Sequence, residues 1–514
     1  MCLRPNAFCP TADPLEDQSG VQDTAPLGDD IEHELMLDFL NHLDSPSRTQ
    51  TNVNFETQNG MTPLIMACVL NLHVDRLLAE PSLDLNYKNA FSYSALMAAC
   101  EANQVEVVKT LLTQPTIDRS DINAGFCLAC KGGYAELVTF LLTCHADLDL
   151  SFGMAMEDEL ELISGFDQAI LNDHMDVVSA VLAHLATTLE EDNLDIRVGG
   201  FTTACRADKK DMVALLVASG IPVEDLNYGF SEACLHGHLD VVRYLVESTD
   251  VDVNYGVHDD IDMFPHGVSS FYLACQSDHA EVVRFLLSLP QLDPRQLCNA
   301  LCAAQDMDIV EMVLAHPHFN INSDVGELPP LTIACVDRQL EKLARLLAVP
   351  SIDVNFKHNG LFLACQTGHA TIVRYLLQTS PHPVNVNALM SISEDQEAVT
   401  CLVVACGHNR EDVVRVLLEH PAIQVNAVPG MPYVPLVQAC AFGHFEVVKL
   451  LLGHPSVDVH CKNAAGTTAM SAATAGKHVT VQAILRQHQK PSVAREPALK
   501  RPKPNSPMHS TKAA

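Results

Sequence analysis

The chain has no Trp, and aromatic residues fill only 5% of its 514 positions, so its core is expected to be aliphatic. Charge is scarce as well: Asp, Glu, Lys and Arg make up 18% against 48% hydrophobic residues, a balance that excludes wholesale disorder. The charge that is present is one-sided. Asp and Glu number 64 and Lys and Arg 31, a net −33 that repels phosphate backbones and anionic lipid and excludes general nucleic-acid binding. No apolar run approaches the roughly 18 residues that a membrane helix needs, so no membrane span is expected. Met1 to Pro10 carries Cys and Pro in place of an apolar signal core, and no Asn-X-Ser/Thr acceptor occurs anywhere. These absences predict an intracellular, cytoplasmic protein whose 18 Cys are thiols.

What the sequence has is a repeat. Aligned on its Ala-Cys pairs, the chain puts Cys68, Cys100, Cys130, Cys205, Cys234, Cys275, Cys302, Cys335, Cys365, Cys406 and Cys440 into one slot, which Ile170 and Ala473 fill in two weaker copies. Successive slots lie about 33 residues apart, the length of one supersecondary unit. Beyond each slot comes a stripe such as Val107, Val108, Leu111 and Leu112, or Val447, Val448, Leu451 and Leu452, whose i, i+1, i+4, i+5 spacing predicts a short helix with one buried face. Three residues after the slot stand mostly Gly, Asn or Asp, among them Asn71, Gly133, Asp173, Gly237, Gly443 and Gly476, types that tolerate positive φ at a helix end. Each copy is therefore predicted to be a helix-turn-helix.

The copies close with segments such as Pro81-Ser-Leu-Asp-Leu-Asn86 and Pro350-Ser-Ile-Asp-Val-Asn355, where Pro stops the helix and an extended stretch leads onward. With Thr62-Pro-Leu-Ile-Met-Ala67, with Gly237-His238, Gly368-His369 and Gly443-His444, and with these closures, the chain resembles the ankyrin-repeat family over roughly residues 52 to 488. The resemblance implies an all-α, ankyrin-type helix-turn-helix solenoid of about 13 units with short β-turn or hairpin connections, bent into a curved rod. It also implies a concave face that holds another protein, with side chains just after the slot pointing into it. On this sequence those are Lys131, Arg206, His236, Gln276, Asp337, Gln366, His408 and Phe442.

Enzyme chemistry finds no footing. Cys127-Leu-Ala-Cys130 has the C-x-x-C form, but Cys130 belongs to the repeating slot and a second ligand pair at zinc spacing is missing. The slot thiols read as core filler, and His174, His238, His279, His369 and His444, four residues after the slot, read as turn locks. There is no G-x-S-x-G, H-E-x-x-H, Walker-type loop or G-x-G-x-x-G, so no catalytic, metal or cofactor residue is assigned. Residues 151 to 200 offer carboxylates with His174 and His184, but no nucleophile motif.

Three slot separations run to about 40 residues, and the added sequence carries acidic tips that include Asp259, Asp260, Asp262, Glu394 and Asp395. Such tips would orient a partner with a basic surface through their long-range field. Residues 1–50 are expected to be a disordered N-terminus that ends in an amphipathic capping helix near 30–43, followed by the array at 51–489. Residues 490–514 reverse the charge balance and hold several Pro, which predicts a basic disordered tail. Within that tail Lys500, Arg501 and Lys503 resemble a short nuclear import signal, with the nucleus as an alternative location. The sequence thus describes a non-enzymatic protein-binding scaffold. The alternative is an adaptor or regulatory subunit that delivers a client to an enzyme such as a ubiquitin ligase.

Overall fold

The computed structural model describes residues 34, 37–39, 53–57, 60–145, 148–155, 162–188, 193–257, 268–322, 329–378, 384–390, 398–426 and 433–489. The chain divides into two compact units, Met1–Gly229 and Phe230–Ala514. In the first, helix pairs Pro63–Leu70 and Val74–Leu78, Ala95–Glu101 and Val105–Leu112, Arg119–Lys131 and Ala135–Cys144, Gly165–Leu171 and Met175–Thr187, and Asn193–Arg206 and Lys210–Ala218 follow one another. The leading helix of each pair packs on the leading helix of the next. Helix Val223–Leu235 carries the division within it. The second unit continues from Leu239–Ser248 with pairs that begin at Ser270, Gln296, Pro330, Cys401, Pro435 and Ala469 and a longer leading helix at Val354–Thr367, packed neighbour to neighbour in the same way.

Local chemistry sets the helix ends. Thr62, Ser94, Ser164, Ser269, Thr400 and Thr468 cap leading helices by accepting a backbone N–H from three residues on. Pro63, Pro330 and Pro435 occupy the first helical turn, where a missing N–H costs nothing. Between helices the chain passes through a left-handed residue, Asp173 at φ 61° and Gly237 at φ 79° for example. The next N–H then returns to the alanine before the slot, as from His174 to Ala169 O at 2.9 Å and from His444 to Ala439 O at 3.0 Å.

The slot is the floor of the core: Cys68, Cys130, Ile170, Cys205, Cys234, Cys275, Cys335, Cys365, Cys406 and Cys440 are fully buried, and Cys100 very nearly so. Close approach of successive leading helices is possible because small residues face the thiols. A methyl group placed on Gly125 would lie 2.8 Å from Cys100 Sγ, and one on Gly360 2.9 Å from Cys335 Sγ.

Four expectations need correction. The core is not purely aliphatic: Phe126, Phe166 and Phe201 in the first unit and Phe230 and Phe271 in the second are its largest fully buried side chains, each four residues before the slot. In the final pair the left-handed residue is Lys477 at φ 58°, not Gly476 at φ −76°, so Thr474 rather than Ala473 stands at the slot. Near residue 302 the fully buried side chain is Leu301, Cys302 is half-buried, and Gln305 is not left-handed. There Lys342, 2% exposed, donates from Nζ to Cys302 O at 3.1 Å and Ala304 O at 2.7 Å, closing the helix end that a left-handed turn closes elsewhere. The stretch after Asp353 is not extended either, since helix Val354–Thr367 starts at once, as do the long leading helices from Arg119 and Asn193.

At six closures an asparagine clamps the next one. Asn86 donates to Thr116 O at 2.6 Å and accepts from Asp118 N at 2.9 Å. Asn54, Asn254, Asn322, Asn387 and Asn426 repeat the pair of bonds on residues 82 and 84, 291 and 293, 351 and 353, 422 and 424, and 456 and 458. Two of the long separations are β-hairpins, Gly153–Ala155 with Leu162–Ser164 and Gly256–Val257 with Val268–Ser269, and the third holds a single bridge between Met390 and Val399. The acidic tips with Asp259, Asp260, Asp262, Glu394 and Asp395 lie outside the described residues, as does the tail with Lys500, Arg501 and Lys503. The expected capping helix near 30–43 falls largely outside them too. Its described residues 34 and 37–39 are helical, and Phe39 meets Phe55 edge-on with ring centroids 5.2 Å apart.

Candidate protein-binding surface

The residues expected on the binding face gather where each leading helix ends. Lys131, Arg206 and Gln276 are the exposed last residues of Arg119–Lys131, Asn193–Arg206 and Ser270–Gln276. Phe442 ends Pro435–Phe442, 56% exposed, with its ring stacked on His444 at 5.9 Å between centroids. Asp337 and His408 stand one residue further on as exposed C-caps, and His408 Nδ1 turns back to Val404 O at 3.0 Å. His236 follows Val223–Leu235, stacked on His238 and 3.7 Å from Glu232. Gln366, one residue before its helix ends, is half-buried.

The turn histidines tie this edge together from one pair to the next. His174 Nε2 donates to Lys131 O at 2.8 Å, His279 to Leu235 O at 2.8 Å and His444 to Gly407 O at 3.0 Å. His478, which sequence reasoning missed because of the slipped register, does the same to Ala441 O at 3.0 Å. Arg410 takes the role with Nε to Gln366 O at 2.8 Å. His369 differs, because its Nδ1 accepts from Arg338 Nε at 2.8 Å. Burial, with Arg338 and Arg410 beside it, holds its pKa below the usual imidazole value.

Sequence reasoning also missed a second cluster in the first unit. Met97, Ala124 and Leu128 are buried apart from the slot core, and Tyr93, Phe152 and Met154 pack against them half-buried. The Tyr93 hydroxyl donates to Glu101, and burial and this carboxylate push the phenol well up. Phe152 is fixed by its carbonyl, which accepts from Cys127 Sγ at 3.1 Å, and Met154 by its place in the hairpin opposite Ile163. The signal lay in apolar residues two and three positions before the slot, off the periodic stripe.

The buried thiols are not poised for covalent chemistry. Burial raises Cys68, Cys100, Cys127, Cys335 and Cys440 to about 12 and holds Cys130 well above its ordinary value, so Cys127 and Cys130 are protonated padding rather than a redox pair. Among the described residues no three His, Cys, Asp or Glu come together as metal ligands, and no helix is long and apolar enough to cross a membrane.

Comparison with known proteins agrees with this architecture. The chain is 34% identical over 91 residues to the human SMC5-SMC6 complex localization factor protein 1, a match that takes in 17% of this chain and 8% of that protein. The family model described as Ankyrin repeats (3 copies) matches residues 32–125, 203–298 and 331–428, and that described as Ankyrin repeats (many copies) matches 436–484. Helix pairs of the same form fill the unmatched intervals as well. With more than half of its length matched and helix-turn-helix pairs among the described residues of both units, the chain belongs to the ankyrin-repeat family.

Proposed function

We propose that this chain is a scaffold of about 13 ankyrin units that holds a partner protein along the face lined by the leading helices and hairpins. Lys131, Arg206, His236, Gln276, Asp337, Gln366, His408 and Phe442 are its contact residues in this reading, and the tips with Asp259, Asp260, Asp262, Glu394 and Asp395 steer a partner of basic surface. The supporting observation is a contrast in register. Apart from the exposed Thr474 of the final pair, the slot stays buried and nearly constant, whereas the positions one or two residues later are mostly exposed in the residues named and range over Lys, Arg, His, Gln, Asp and Phe, as they would where packing no longer dictates identity. A partner laid along such a face would bury roughly 800 Å² on each side.

Affinity capture with the full chain, repeated after removal of residues 1–50 or 490–514 and at rising salt, tests this. A protein retained by all three forms, released as salt rises and lost on charge reversal at Asp259, Asp260 and Asp262 is the expected result. Retention by a flank alone would overturn it.

A further inference from the structure

We infer that the apolar face of the first unit, Tyr93, Met97, Leu128, Phe152 and Met154, holds a linear segment of a partner protein in which an apolar side chain stands next to a Lys or Arg. The inference rests on the scaffold reading above and narrows it to one place and one chemistry. Three successive parts of the chain supply the face: Tyr93 and Met97 at the start of helix Ala95–Glu101, Leu128 in the helix Arg119–Lys131, and Phe152 and Met154 at the hairpin strand Gly153–Ala155. The cluster lies apart from the slot core, so the stacking of helix pairs does not account for a tyrosine, a phenylalanine and a methionine left half-buried around Met97 and Leu128. Each is held in place, Tyr93 through Glu101, Phe152 through Cys127 and Met154 through the strand pair, so an anchor inserted between them meets a preset surface at little entropic cost.

Charge selects the neighbour of that anchor. Glu101 and Asp149 are exposed beside the cluster, and neither pairs with a Lys or Arg among the described residues. Lys131 is a basic group nearby, but across residues 53–229 acidic side chains far outnumber basic ones, so the surrounding field favours a cation. A cationic side chain over the Tyr93 or Phe152 ring would gain further from the ring quadrupole.

Selection of phage-displayed random linear dodecapeptides on the intact chain tests this. The selected sequences are then made as fluorescein-labelled peptides and titrated by anisotropy against the parent and against Tyr93→Ala, Met154→Gln, Glu101→Gln, Phe442→Ala and Val479→Ala. The expected result is enrichment of an apolar residue beside Lys or Arg. Binding should weaken by about tenfold or more in Tyr93→Ala and Met154→Gln, and several-fold with a shallower salt dependence in Glu101→Gln, and a Val479→Ala control, an exposed side chain that neither reading uses, should bind like the parent. Because Tyr93→Ala risks disturbing the fold, the hairpin variant Met154→Gln decides. Peptides that bind all first-unit variants like the parent, or that lose binding only in Phe442→Ala, overturn this face and leave the scaffold reading standing. No enrichment on the intact chain counts against both.

Discussion

The close contact between Gly125 and Cys100 gives a prediction whose sign reverses with a single atom. An Ala at 125 would bring its methyl to 2.8 Å from Cys100 Sγ, nearly 1 Å inside the ordinary separation of about 3.5–4.0 Å. Overpacking of that size in a rigid core costs about 1–3 kcal/mol. Against it stands the ~1 kcal/mol gained by replacing a glycine inside a helix. At the middle of that range the overlap wins, and Gly125→Ala should destabilise the helices Ala95–Glu101 and Arg119–Lys131 by about 1 kcal/mol, and by at most about 2 kcal/mol. In a Cys100→Ala background the sulfur is gone, and the nearest atoms, the Cβ of residue 100 at 3.5 Å and Leu96 Cγ at 4.0 Å, are at ordinary contact. There the same substitution should stabilise by about 0.5–1 kcal/mol. Because repeat arrays do not unfold as one unit, the measurement is hydrogen exchange of the amides in 95–131 for the four members of the cycle, with a coupling of about 2 kcal/mol expected. If Gly125→Ala protects these amides equally whether residue 100 is Cys or Ala, the account of close packing through the thiol is wrong.

Four further outcomes follow from particular contacts. Asn86→Ala removes both bonds to Thr116 and Asp118 and should lower protection around 116–121 by about 1–2 kcal/mol, whereas Asn86→Asp, which keeps the acceptor for Asp118 N, should cost less. Lys342→Met leaves the carbonyls of Cys302 and Ala304 unpaired in a buried site, so exchange in 296–314 should speed up even though a buried charge is removed; unchanged exchange would show that water satisfies these groups. His369 is held below its usual 6.5 by burial and then by Arg338, so the fold prefers the neutral ring. The stability this gives is complete above that value and is lost as pH falls from 6.5 through the folded pKa. Protection in 354–378 should therefore drop on acidification, and less so in His369→Gln, which keeps an acceptor for Arg338. Finally, iodoacetamide on the native chain should alkylate the exposed Cys144 far faster than Cys68, Cys100 or Cys335, and mass spectrometry should find those three protected until urea is added.

The repeat and the identity of its turns were legible in the sequence because both are local. A helix pair needs a small buried residue, a residue tolerant of positive φ three places later and an apolar stripe beyond it, and Cys234, Gly237, Val241, Val242 and Leu245 state that rule within one copy. The register failed at its edges for the same reason. Cys302 kept the residue type of the slot while Leu301 took the burial, and Gly476 offered a left-handed conformation that Lys477 adopted.

Alternation, spacing and turn chemistry therefore determined by themselves that this chain is a series of helix pairs with buried thiols. Only the tertiary structure decided what those pairs present to one another: Phe126 and its four counterparts fully buried in the core, Gly125 pressed on Cys100, Lys342 closing a neighbour's helix end, and Tyr93 brought to one face with Phe152 and Met154 from a separate segment. These are contacts between residues about 25 or more positions apart. Such a pairing depends on the separation and rotation of neighbouring helices, quantities set by the sum of many side-chain volumes and written in no single stretch of sequence.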